Sequence, residues 1–306
     1  MVQFRRLDPL ANASLYQKLL KTPVKSFTLS EEQFDRVQSK RPQLIATRGD
    51  GAVVGNAYRD FLEVHYGFPD VANFRDNFAE VFDTAVGASS KAEAPRGLVI
   101  SFRDRPNRAL AETVFWNLAL DEGGHWVEMD WVAVPEQPEP GVAVAERFLV
   151  REATDKDSAT IADIEAEVTG QPRLTDAGLE SLYENARWLR VVTDASGDAV
   201  GFLNLNRITG GWGIIDQIAI RASQRGQLAE PLLGWAAAWL RNNGGRRLRK
   251  RVYLDDTADL ALLRSLGFSA AETGVDYVRP VDRADVEAKL AERASHGSMI
   301  KFGDWR

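Results

Sequence analysis

The segment AIRASQRGQLAEPLL, residues 219–233, combines the residue types that a phosphate-binding turn needs. It reads as the end of a strand, a short polar turn in which a glycine follows an arginine, and the start of an apolar helical run. Such a turn can direct backbone N–H groups and the positive end of a helix dipole at a phosphate. Phosphate loops usually carry several glycines, whereas Gly226 stands alone here. The segment therefore predicts a working phosphate cradle, a degenerate one, or an ordinary strand-to-helix turn.

The residue types that are missing exclude several kinds of chemistry. The chain has no cysteine, which excludes disulfides, thiolate zinc sites, iron–sulfur clusters and cysteine nucleophiles. Its three histidines, His65, His125 and His296, are scattered, and without a closely spaced pair we expect no metal site. The formal net charge of −6 argues against a dedicated nucleic-acid-binding protein. A negative charge is compatible with a substrate that carries an amine.

The sequence also lacks the signals of membrane insertion and export. No apolar stretch approaches the length of a membrane span. The N-terminus, MVQFRRLDPL, carries charges where a signal peptide has its apolar run. The composition, 44% hydrophobic and 27% charged, is that of a globular protein with enough apolar residues for a core. We therefore expect a cytoplasmic protein that does not associate with membranes.

The same order of predicted elements occurs twice along the chain. The segment PEQPEPG, residues 135–141, has the composition of a linker and separates the two copies. In each copy an Arg-bearing strand precedes a helix, a hairpin with a Gly/Asp turn follows, and a polar residue opens a later short helix. Gly55 and Gly201 are 146 residues apart, and Asn107 and Asp256 are 149 residues apart. These matching offsets predict two copies of one αβ unit of ordinary domain size.

Turn and helix signals place the elements within each copy. The hairpin predicted over 43–59 depends on a GDG turn, and the hairpin predicted over 189–205 depends on an SGD turn. Residues 231–245 predict a helix that has Pro231 in its first turn and ends at a Gly-Gly pair. The sequence RRLRKRVYLDD that follows predicts a strand over its Val252–Leu254 end.

The second copy resembles the GNAT (N-acetyltransferase) superfamily in its element order and in two motifs. The segment IIDQIAIRASQRGQLAEPLLGW, residues 214–235, is similar to the family's cofactor motif, in which a strand precedes Arg/Gln-x-x-Gly-x-Gly/Ala and a helix. The segment DDTADLALLRSLGF, residues 255–268, is similar to the later motif Asn-x-x-Ala-x-x-Leu-Tyr-x-x-x-Gly-Phe. The resemblance covers residues 147–278 well and residues 2–135 in outline. The layout is similar to that of the tandem acetyltransferases, which include mycothiol synthase.

The resemblance implies a protein of the α/β (α+β) class with two tandem GNAT-like domains. Each domain would have a mixed, mostly antiparallel central sheet flanked by helices. We expect a degenerate N-terminal domain over 1–140, a cofactor-binding domain over 141–281, and a C-terminal helix and tail over 282–306. A helical run begins the tail, and the aromatic residues Phe302 and Trp305 follow it, so we expect the tail to dock on the protein.

The resemblance also implies where acetyl-CoA binds. Its pyrophosphate would contact N–H groups at the start of the helix, and its pantetheine arm would pair with strand 216–220 where that strand separates from its neighbour. Backbone groups of the strand end would orient the thioester carbonyl and stabilise its developing charge. Arg225 would be the main charged phosphate ligand, and Arg221 a weaker one. The implied cofactor-binding residues are Ile218, Ala219, Ile220, Gln224, Arg225, Gly226, Gln227, Leu228 and Ala229.

Several positions depart from the family's motifs. Read without a gap, the cofactor motif has Gln227 where the central glycine belongs; read with one deletion, the second glycine is lost. In the later motif Asp256 replaces Asn and Asp259 replaces Ala. Leu263 stands where the family often has a tyrosine proposed as the general acid. These departures weaken the cradle and remove the most recognisable catalytic residue.

The first copy departs further. Between its strand and its helix, the segment PDVANFRDN, residues 69–77, contains no glycine. The carboxylates of Asp70 and Asp76 flank the region where a phosphate would lie, and their charge disfavours it. We therefore expect a non-binding copy that supports the other one.

Three residues are candidates for proton transfer in the second copy. Asp216, two residues before Ile218, would act as the general base directly or through water; a solvated or turn-capping Asp216 is the alternative. Tyr253 ends the next strand and would donate a proton, or it would lie in the core. Asp256 would take part in catalysis or cap the helix that follows it.

A basic run follows the predicted helix. It would meet the 3′-phosphate of CoA or an acidic partner, or it would form a solvated strand edge that prevents edge-to-edge pairing. The run consists of Arg246, Arg247, Arg249, Lys250 and Arg251. Trp212, at a predicted loop, is a candidate for the acceptor cleft.

These observations predict an acyl-CoA-dependent N-acyltransferase. The second domain would transfer acetyl from acetyl-CoA to a primary amine of a small molecule or peptide. The attack would be direct, because no cysteine is available to form an acyl-enzyme. The alternative is a catalytically silent GNAT-fold protein that binds or scaffolds a partner, or senses CoA. The sequence identifies no acceptor and leaves the oligomeric state open, a homodimer included.

Overall fold

The computed structural model describes residues 9–26, 28–89, 94, 96–103, 108–132, 147–208 and 210–297. The chain folds into two compact units. The first unit comprises the described residues up to Gly124 and those from Gly274 onward, and the second comprises those in the range His125–Thr273. The predicted linker 135–141 lies outside the described residues, as do Phe302 and Trp305 of the predicted tail.

The first unit is a sheet with helices packed on it. Its described helices are α1 (Pro9–Lys21), α2 (Glu31–Lys40), α3 (Val71–Val86), α4 (Arg108–Asn117) and α9 (Arg283–Gly297). Its described strands are β1 (Val24–Lys25), β2 (Ile45–Arg48), β3 (Gly51–Tyr58), β4 (Phe61–Phe68), β5 (Leu98–Arg103) and the later part of β12 (Ser269–Arg279). The strands lie in the order β2-β3-β4-β5-β12, and β1 pairs with β4. All of these pairs are antiparallel except β4–β5.

The second unit repeats this plan. Its described helices are α5 (Ser158–Thr169), α6 (Asp176–Asn185), α7 (Arg225–Asn242) and α8 (Thr257–Ser265). Its described strands are β7 (Leu149–Glu152), β8 (Trp188–Thr193), β9 (Ala199–Ile208), β10 (Trp212–Ile220), β11 (Arg247–Tyr253) and the later part of β6 (Asp121–Val132). They lie in the order β6-β11-β10-β9-β8-β7, and all pairs are antiparallel except β10–β11. The predicted mixed, mostly antiparallel sheet flanked by helices is confirmed.

Each unit takes one paired strand from the other half of the chain. In the first unit, residues Gly274–Arg279 of β12 pair with β5. In the second unit, residues Trp126–Val132 of β6 pair with β11. The compact units therefore differ from the predicted ranges 1–140 and 141–281, because a repeat in the sequence does not reveal which unit receives its last strand.

Turn chemistry explains the two predicted hairpins. The β2–β3 hairpin turns at Gly49, whose φ is +59°, and the turn before β9 contains Gly197, whose φ is +86°. A glycine adopts these positive φ values without the steric cost that a side chain would add. Both hairpins form where the sequence predicts them.

Helix α7 starts six residues earlier than the sequence predicts. It begins at Arg225, so that Pro231 lies inside the helix rather than in its first turn. A proline has no N–H to donate to the carbonyl four residues earlier, which here is that of Gln227. Gln227 is exposed, so water can satisfy this carbonyl and the interruption is tolerated. Residues 225–229 therefore form the first turn of α7 rather than a loop.

Helices cover both faces of the second unit's sheet. Helix α5 packs on β9 and β10, and α7 packs on β9, β10 and β11. Apolar residues of α7, including Leu228, Leu232 and Leu240, are buried against the sheet. None of the described helices has the length and apolarity needed to cross a membrane.

Candidate active site

The two central strands of the second unit separate at one point. The parallel strands β10 and β11 pair at Trp212–Arg247, Gly213–Leu248 and Ile214–Arg249, and their register shows no pair beyond these. Strand β10 remains paired with β9 on its other side as far as Ile220. The gap between β10 and β11 therefore opens after Ile214.

The backbone groups of Ile218 and Ile220 point into this gap. Residues in an antiparallel pair alternate between those that bond to the partner strand and those that point away from it. The N–H of Arg221 donates to the carbonyl of Val200 on β9, at 2.9 Å. By alternation, Ala219 also bonds to β9, whereas Ile218 and Ile220 direct their N–H and C=O groups to the opposite side. An extended, amide-bearing ligand could pair with them there.

A cavity of about 110 Å³ lies beside the gap. Apolar side chains of β10, α5, α7 and α8 form most of its wall, and four charged side chains form the rest. The lining residues are Val168, Ile218, Ile220, Arg225, Ala229, Leu233, Lys250, Asp256, Asp259, Leu262 and Leu263. Of the residues predicted to bind the cofactor, the structure brings Ile218, Ile220, Arg225 and Ala229 to this cavity.

The remaining predicted turn residues lie at the start of α7. The N–H groups of Gln227 and Leu228 donate to the carbonyl of Gln224, at 3.1 and 3.0 Å. The side chain of Leu228 is fully buried in the core, so only its backbone is near the turn. Gly226 is exposed, and a Cβ placed on it would meet no atom within 4 Å. Open space therefore exists at the helix N-terminus beside Gly226.

Arg225 makes ion pairs with helix α8. Its Nη2 donates to Asp259 Oδ1 at 3.0 Å and lies 3.6 Å from Asp256 Oδ1. Lys250 Nζ lies 3.3 Å from Asp259 Oδ2. Asp256 caps α8 by accepting the N–H of Asp259 at 3.0 Å, as its predicted capping role requires. Two carboxylates thus hold the two cations of the cavity.

Asp216 lies at a β-bulge. The register of β10 against β9 shifts between Ile215 and Gln217, so Asp216 is the extra residue. It is exposed, and its Oδ2 accepts a hydrogen bond from Asn204 Nδ2 at 2.9 Å. The candidate base therefore lies at the start of the gap, two residues before Ile218.

A buried carboxylate supports the bulge from the side of α5. Glu165, which is fully buried, accepts a hydrogen bond from Gln217 Nε2 at 2.5 Å. A buried carboxylate is costly unless it is hydrogen-bonded, so this contact fixes the residue that follows Asp216. The sequence offered no signal for it, because Glu165 and Gln217 are 52 residues apart.

Glu167, also on α5, binds the turn before α7. Its Oε1 accepts the N–H of Ala222 and its Oε2 accepts from Arg221 Nη1, both at 2.8 Å. Arg221, expected as a weaker phosphate ligand, thus holds α5 to the turn.

Tyr253 lies away from the cavity. It ends β11 and is exposed, three residues after Lys250, which lines the cavity. Side chains alternate between the two faces of a strand, so Tyr253 and Lys250 lie on opposite faces. The structure therefore does not bring Tyr253 to the cavity.

The basic run is not a strand edge. Strand β11 pairs with β10 on one side and with β6 on the other, which overturns the interpretation of this run as an unpaired edge. Its residues divide between the two faces of the sheet: Lys250 lines the cavity, whereas Arg249 contacts Trp212 on the other face. The sequence could not show this, because the partner strand β6 comes from the first half of the chain.

The first unit has a similar gap that is filled. Its parallel strands β4 and β5 pair only at Leu62–Leu98 and Glu63–Val99. Beyond these pairs an aromatic cluster fills the interior, with ring centroids 4.9–6.5 Å apart. Its members include Tyr66, Phe74, Phe78, Phe102, Phe115 and Tyr277.

A carboxylate occupies the N-terminus of α3 in the first unit. Asp70 caps this helix by accepting the N–H of Asn73 at 2.7 Å and the Asn73 side-chain N–H at 2.7 Å. These hydrogen bonds, the backbone one foremost, lower the pKa of Asp70. A negative charge of the protein itself therefore stands where a phosphate would lie, in line with the predicted non-binding copy.

The residues of the second unit fit an acyl-CoA. The backbone of Ile218 and Ile220 offers hydrogen bonds to the amides of an extended arm, and the apolar cavity wall adjoins them. The open space at Gly226 and the charge of Arg225 suit a diphosphate. Among the described residues, no group of three or more His, Cys, Asp or Glu side chains is arranged to hold a metal ion.

The sequence of the second unit matches a known family. The family model of the acetyltransferase (GNAT) family matches residues 159–268, which include the gap, the turn and α8. This segment of the second unit is therefore similar to the GNAT family, and the resemblance inferred from its motifs is confirmed. No curated protein matches the chain in sequence.

Solved structures share the fold. A tandem GNAT protein from the clavulanic acid biosynthesis pathway is 11% identical with a TM-score of 0.58, and the match covers 92% of this chain and 99% of that one. A proposed acetyltransferase from Pyrococcus horikoshii is 13% identical with a TM-score of 0.59, covering 94% and 92%. A GCN5-related N-acetyltransferase from Sphaerobacter thermophilus is 18% identical with a TM-score of 0.53, covering 78% and 80%. These matches show a fold of two tandem GNAT-like domains.

Proposed function

We propose that the second unit is an acyl-CoA-dependent N-acyltransferase that transfers acetyl from acetyl-CoA to a primary amine. The observation that carries the proposal is the gap between β10 and β11, with Asp216 at its start and the N-terminus of α7 at its far end. A backbone slot, a carboxylate and a helix N-terminus are thus aligned along one strand. The proposal assigns no such role to the first unit, whose gap is filled by aromatic side chains.

In this proposal, residues of β10 and of the start of α7 have separate roles. Acetyl-CoA supplies an electrophilic thioester and a thiolate that can leave. Ile218 and Ile220 orient the extended arm, and the N–H of Ile218 stabilises negative charge that develops on the carbonyl oxygen. The side chain of Arg225 and the N–H of Gly226, in the first turn of α7, hold the diphosphate. Asp216 accepts the proton of the attacking amine, directly or through water.

A second candidate function is a silent protein that binds CoA or a partner without transfer. The position of Leu263 favours it: this side chain is buried and lines the cavity where the family often has its tyrosine. The ion pairs of Arg225 with α8 favour the silent protein that binds a partner rather than CoA, since they oppose phosphate binding.

Thiol release separates the two functions. Acetyl-CoA is incubated with the full-length protein and a panel of primary amines, and free thiol is measured. We expect turnover with at least one amine, and Asp216→Asn should lower kcat about 100-fold near neutral pH. The control is Asp163→Asn, because Asp163 is an exposed carboxylate of the same unit that pairs with Arg173 at 2.7 Å. Thiol release that no amine raises above hydrolysis would favour the silent protein.

A further inference from the structure

Strand β11 carries a lysine at a core position. Leu248 and Val252 of this strand are buried in the core of the second unit, in the cluster to which α7 also contributes. Lys250 lies between them and on the same face of the sheet, because side chains alternate along a strand. The residue is only 8% exposed. A buried ammonium is costly unless its charge is paired, so Lys250 needs a partner.

Asp259 of α8 is that partner. Lys250 Nζ lies 3.3 Å from Asp259 Oδ2, and Arg225 donates to the other oxygen, Oδ1, at 3.0 Å. An ammonium has three N–H groups, and this contact engages one of them. Asp259 therefore holds the ammonium in place while the ammonium can still donate to a second acceptor.

The side chain of Lys250 faces the cavity beside the gap, whose wall also includes Ile218. The volume of about 110 Å³ holds only a few water-sized groups, so a group bound there lies close to every wall. Strand β10 and helix α5 contribute apolar side chains to the wall. Its charged side chains are those of Arg225, Lys250, Asp256 and Asp259, two positive and two negative. A further negative charge formed in the cavity would therefore be unbalanced unless a proton neutralised it.

Cleavage of a thioester forms such a charge. In the proposed reaction the N–H of Ile218 binds the carbonyl oxygen of the thioester, and the sulfur is attached to the same carbon. The sulfur therefore lies beside Ile218, next to the cavity. When the bond between carbon and sulfur breaks, the electron pair leaves with the sulfur as a thiolate. Leu263 of the cavity wall has no proton to give, whereas the ammonium of Lys250 has.

We propose that Lys250 receives the departing thiolate: its ammonium stabilises the negative charge on the sulfur and donates one proton to it, so that CoA leaves as a thiol. This inference rests on the proposed function and adds a residue to it. Asp216 passes the proton of the amine to water, and water returns one proton to Lys250. Amine and acetyl-CoA thus give amide and CoA with no net change in the protein.

The thiol of bound CoA tests this contact without turnover. The matched ligands are free CoA and desulfo-CoA, in which a hydrogen atom replaces the thiol, and each is titrated calorimetrically into the full-length protein at pH 7 and pH 9.5. A positive charge close to a thiol lowers its pKa, so the ammonium should make the thiolate bind more tightly. We expect the affinity ratio of CoA to desulfo-CoA to rise about 3-fold or more between the two pH values, as for a thiol pKa lowered by about one unit.

Variants of the ion pair show whether Lys250 causes the rise. Lys250→Met removes the ammonium and keeps an apolar stem, so its ratio should stay constant with pH. If this variant does not fold, the double variant Lys250→Met, Asp259→Asn removes both charges of the pair and should give the same constant ratio. Lys156→Met is the matched control, because Lys156 is an exposed lysine of the same unit outside the cavity. A constant ratio in the wild type, or an equal rise in these Lys250 variants, would overturn the inference.

Thiol release distinguishes this inference from the proposed function. With an amine that the wild type acetylates, Lys250→Met should lower kcat about 100-fold, as for a missing proton donor, and should change the KM for acetyl-CoA far less. Lys250→Arg should restore part of kcat because it restores the positive charge. Undiminished kcat in Lys250→Met would overturn the inference while supporting the transferase. A pH-dependent affinity ratio without acetylation of any amine would support the placement of Lys250 at the sulfur and contradict the transferase.

Discussion

Arg225 Nη2 donates to Asp259 Oδ1 at 3.0 Å, so the guanidinium best placed for a cofactor phosphate is already bound to a carboxylate. Both residues line the cavity at the end of the gap. Lys250 shares the same carboxylate at 3.3 Å. A phosphate at the start of α7 must therefore compete with Asp259 for Arg225, and it also meets the negative charge of Asp259 itself.

Asp259→Asn should raise the affinity for CoA. The substitution removes the ion pairs of Asp259 with Arg225 and Lys250, leaves Arg225 its longer 3.6 Å contact with Asp256, and removes a repulsion. We expect binding to tighten about 3- to 10-fold, in keeping with the modest strength of such exposed ion pairs. Calorimetric titration of free CoA measures this change. Asp163→Asn is the matched control, because it removes an exposed carboxylate of the same unit that lies outside the cavity. Weaker binding in Asp259→Asn would show that Asp259 is a ligand rather than a competitor.

Gly226→Ala should stabilise the protein and weaken CoA binding. Gly226 lies in the first turn of α7, and its added Cβ would touch nothing in the protein. The exchange should therefore add about 0.5–1 kcal/mol of helix stability, which a thermal unfolding scan detects. The methyl group would stand where a diphosphate approaches the N–H groups, so we expect CoA affinity to fall about 5-fold or more. Unchanged affinity would place the phosphate elsewhere.

A pair of proline substitutions tests the direction of the backbone on β10. The N–H of Ile218 points into the gap, so Ile218→Pro removes no hydrogen bond of the sheet. We expect this variant to fold and to lose about 100-fold or more in kcat, as for a missing oxyanion donor. Ala219→Pro, one residue further, removes a bond to β9 and should not give a folded protein. Circular dichroism shows whether each variant folds, and thiol release measures its activity. Full activity in Ile218→Pro would contradict the role assigned to the Ile218 N–H.

The parts of the fold that sequence reasoning could predict are those set by local chemistry. Hairpins at Gly49 and Gly197, the helix after the polar turn, and the cap at Asp256 follow from residues close in the chain. The family motif then placed Ile218 and Arg225 at one site, and the cavity contains both.

The parts that could not be predicted depend on contacts between distant segments. Glu165 reaches Gln217 across 52 residues, and Arg249 reaches Asp130 across 119. A periodic sequence pattern does not reveal such contacts, because each depends on how two strands, or a strand and a helix, pack against each other. The start of α7 was predicted six residues too late for a different reason. Prolines are usual in the first turn of a helix, and this rule placed Pro231 there, but water can bond to the Gln227 carbonyl that Pro231 leaves without a donor.

An ion pair between the buried Asp157 and the half-exposed Arg151, at the start of the second unit, predicts a pH-dependent stability. Asp157 accepts two hydrogen bonds from Arg151, at 2.6 and 2.8 Å, and one from the N–H of Thr154 at 2.8 Å. These bonds, those of Arg151 foremost, hold the pKa of Asp157 far below its usual range. A carboxyl whose pKa is lowered by folding stabilises the native state above its unfolded pKa of about 3.9, and this contribution is lost as the pH falls towards the native value.

Asp157→Asn should therefore destabilise the protein near neutral pH and less so in acid. We expect a loss of about 1–2 kcal/mol at pH 7, since Asp157 loses its charge-assisted hydrogen bonds while solvent can take up the half-exposed Arg151. The difference from the wild type should shrink as the pH falls below about 4. Denaturant unfolding of both proteins at pH 7 and at pH 3 measures it. A difference that does not change with pH would mean that Asp157 is not charged in the native state.

Calorimetric titration of free CoA into the full-length protein tests the central claim most directly. The account predicts one site per chain, because the gap of the second unit adjoins a cavity that contains Arg225, while aromatic side chains pack together in the interior of the first unit. Arg225→Glu should abolish this binding by reversing the charge beside the phosphate. No heat at millimolar CoA, two sites per chain, or undiminished binding in Arg225→Glu would contradict it.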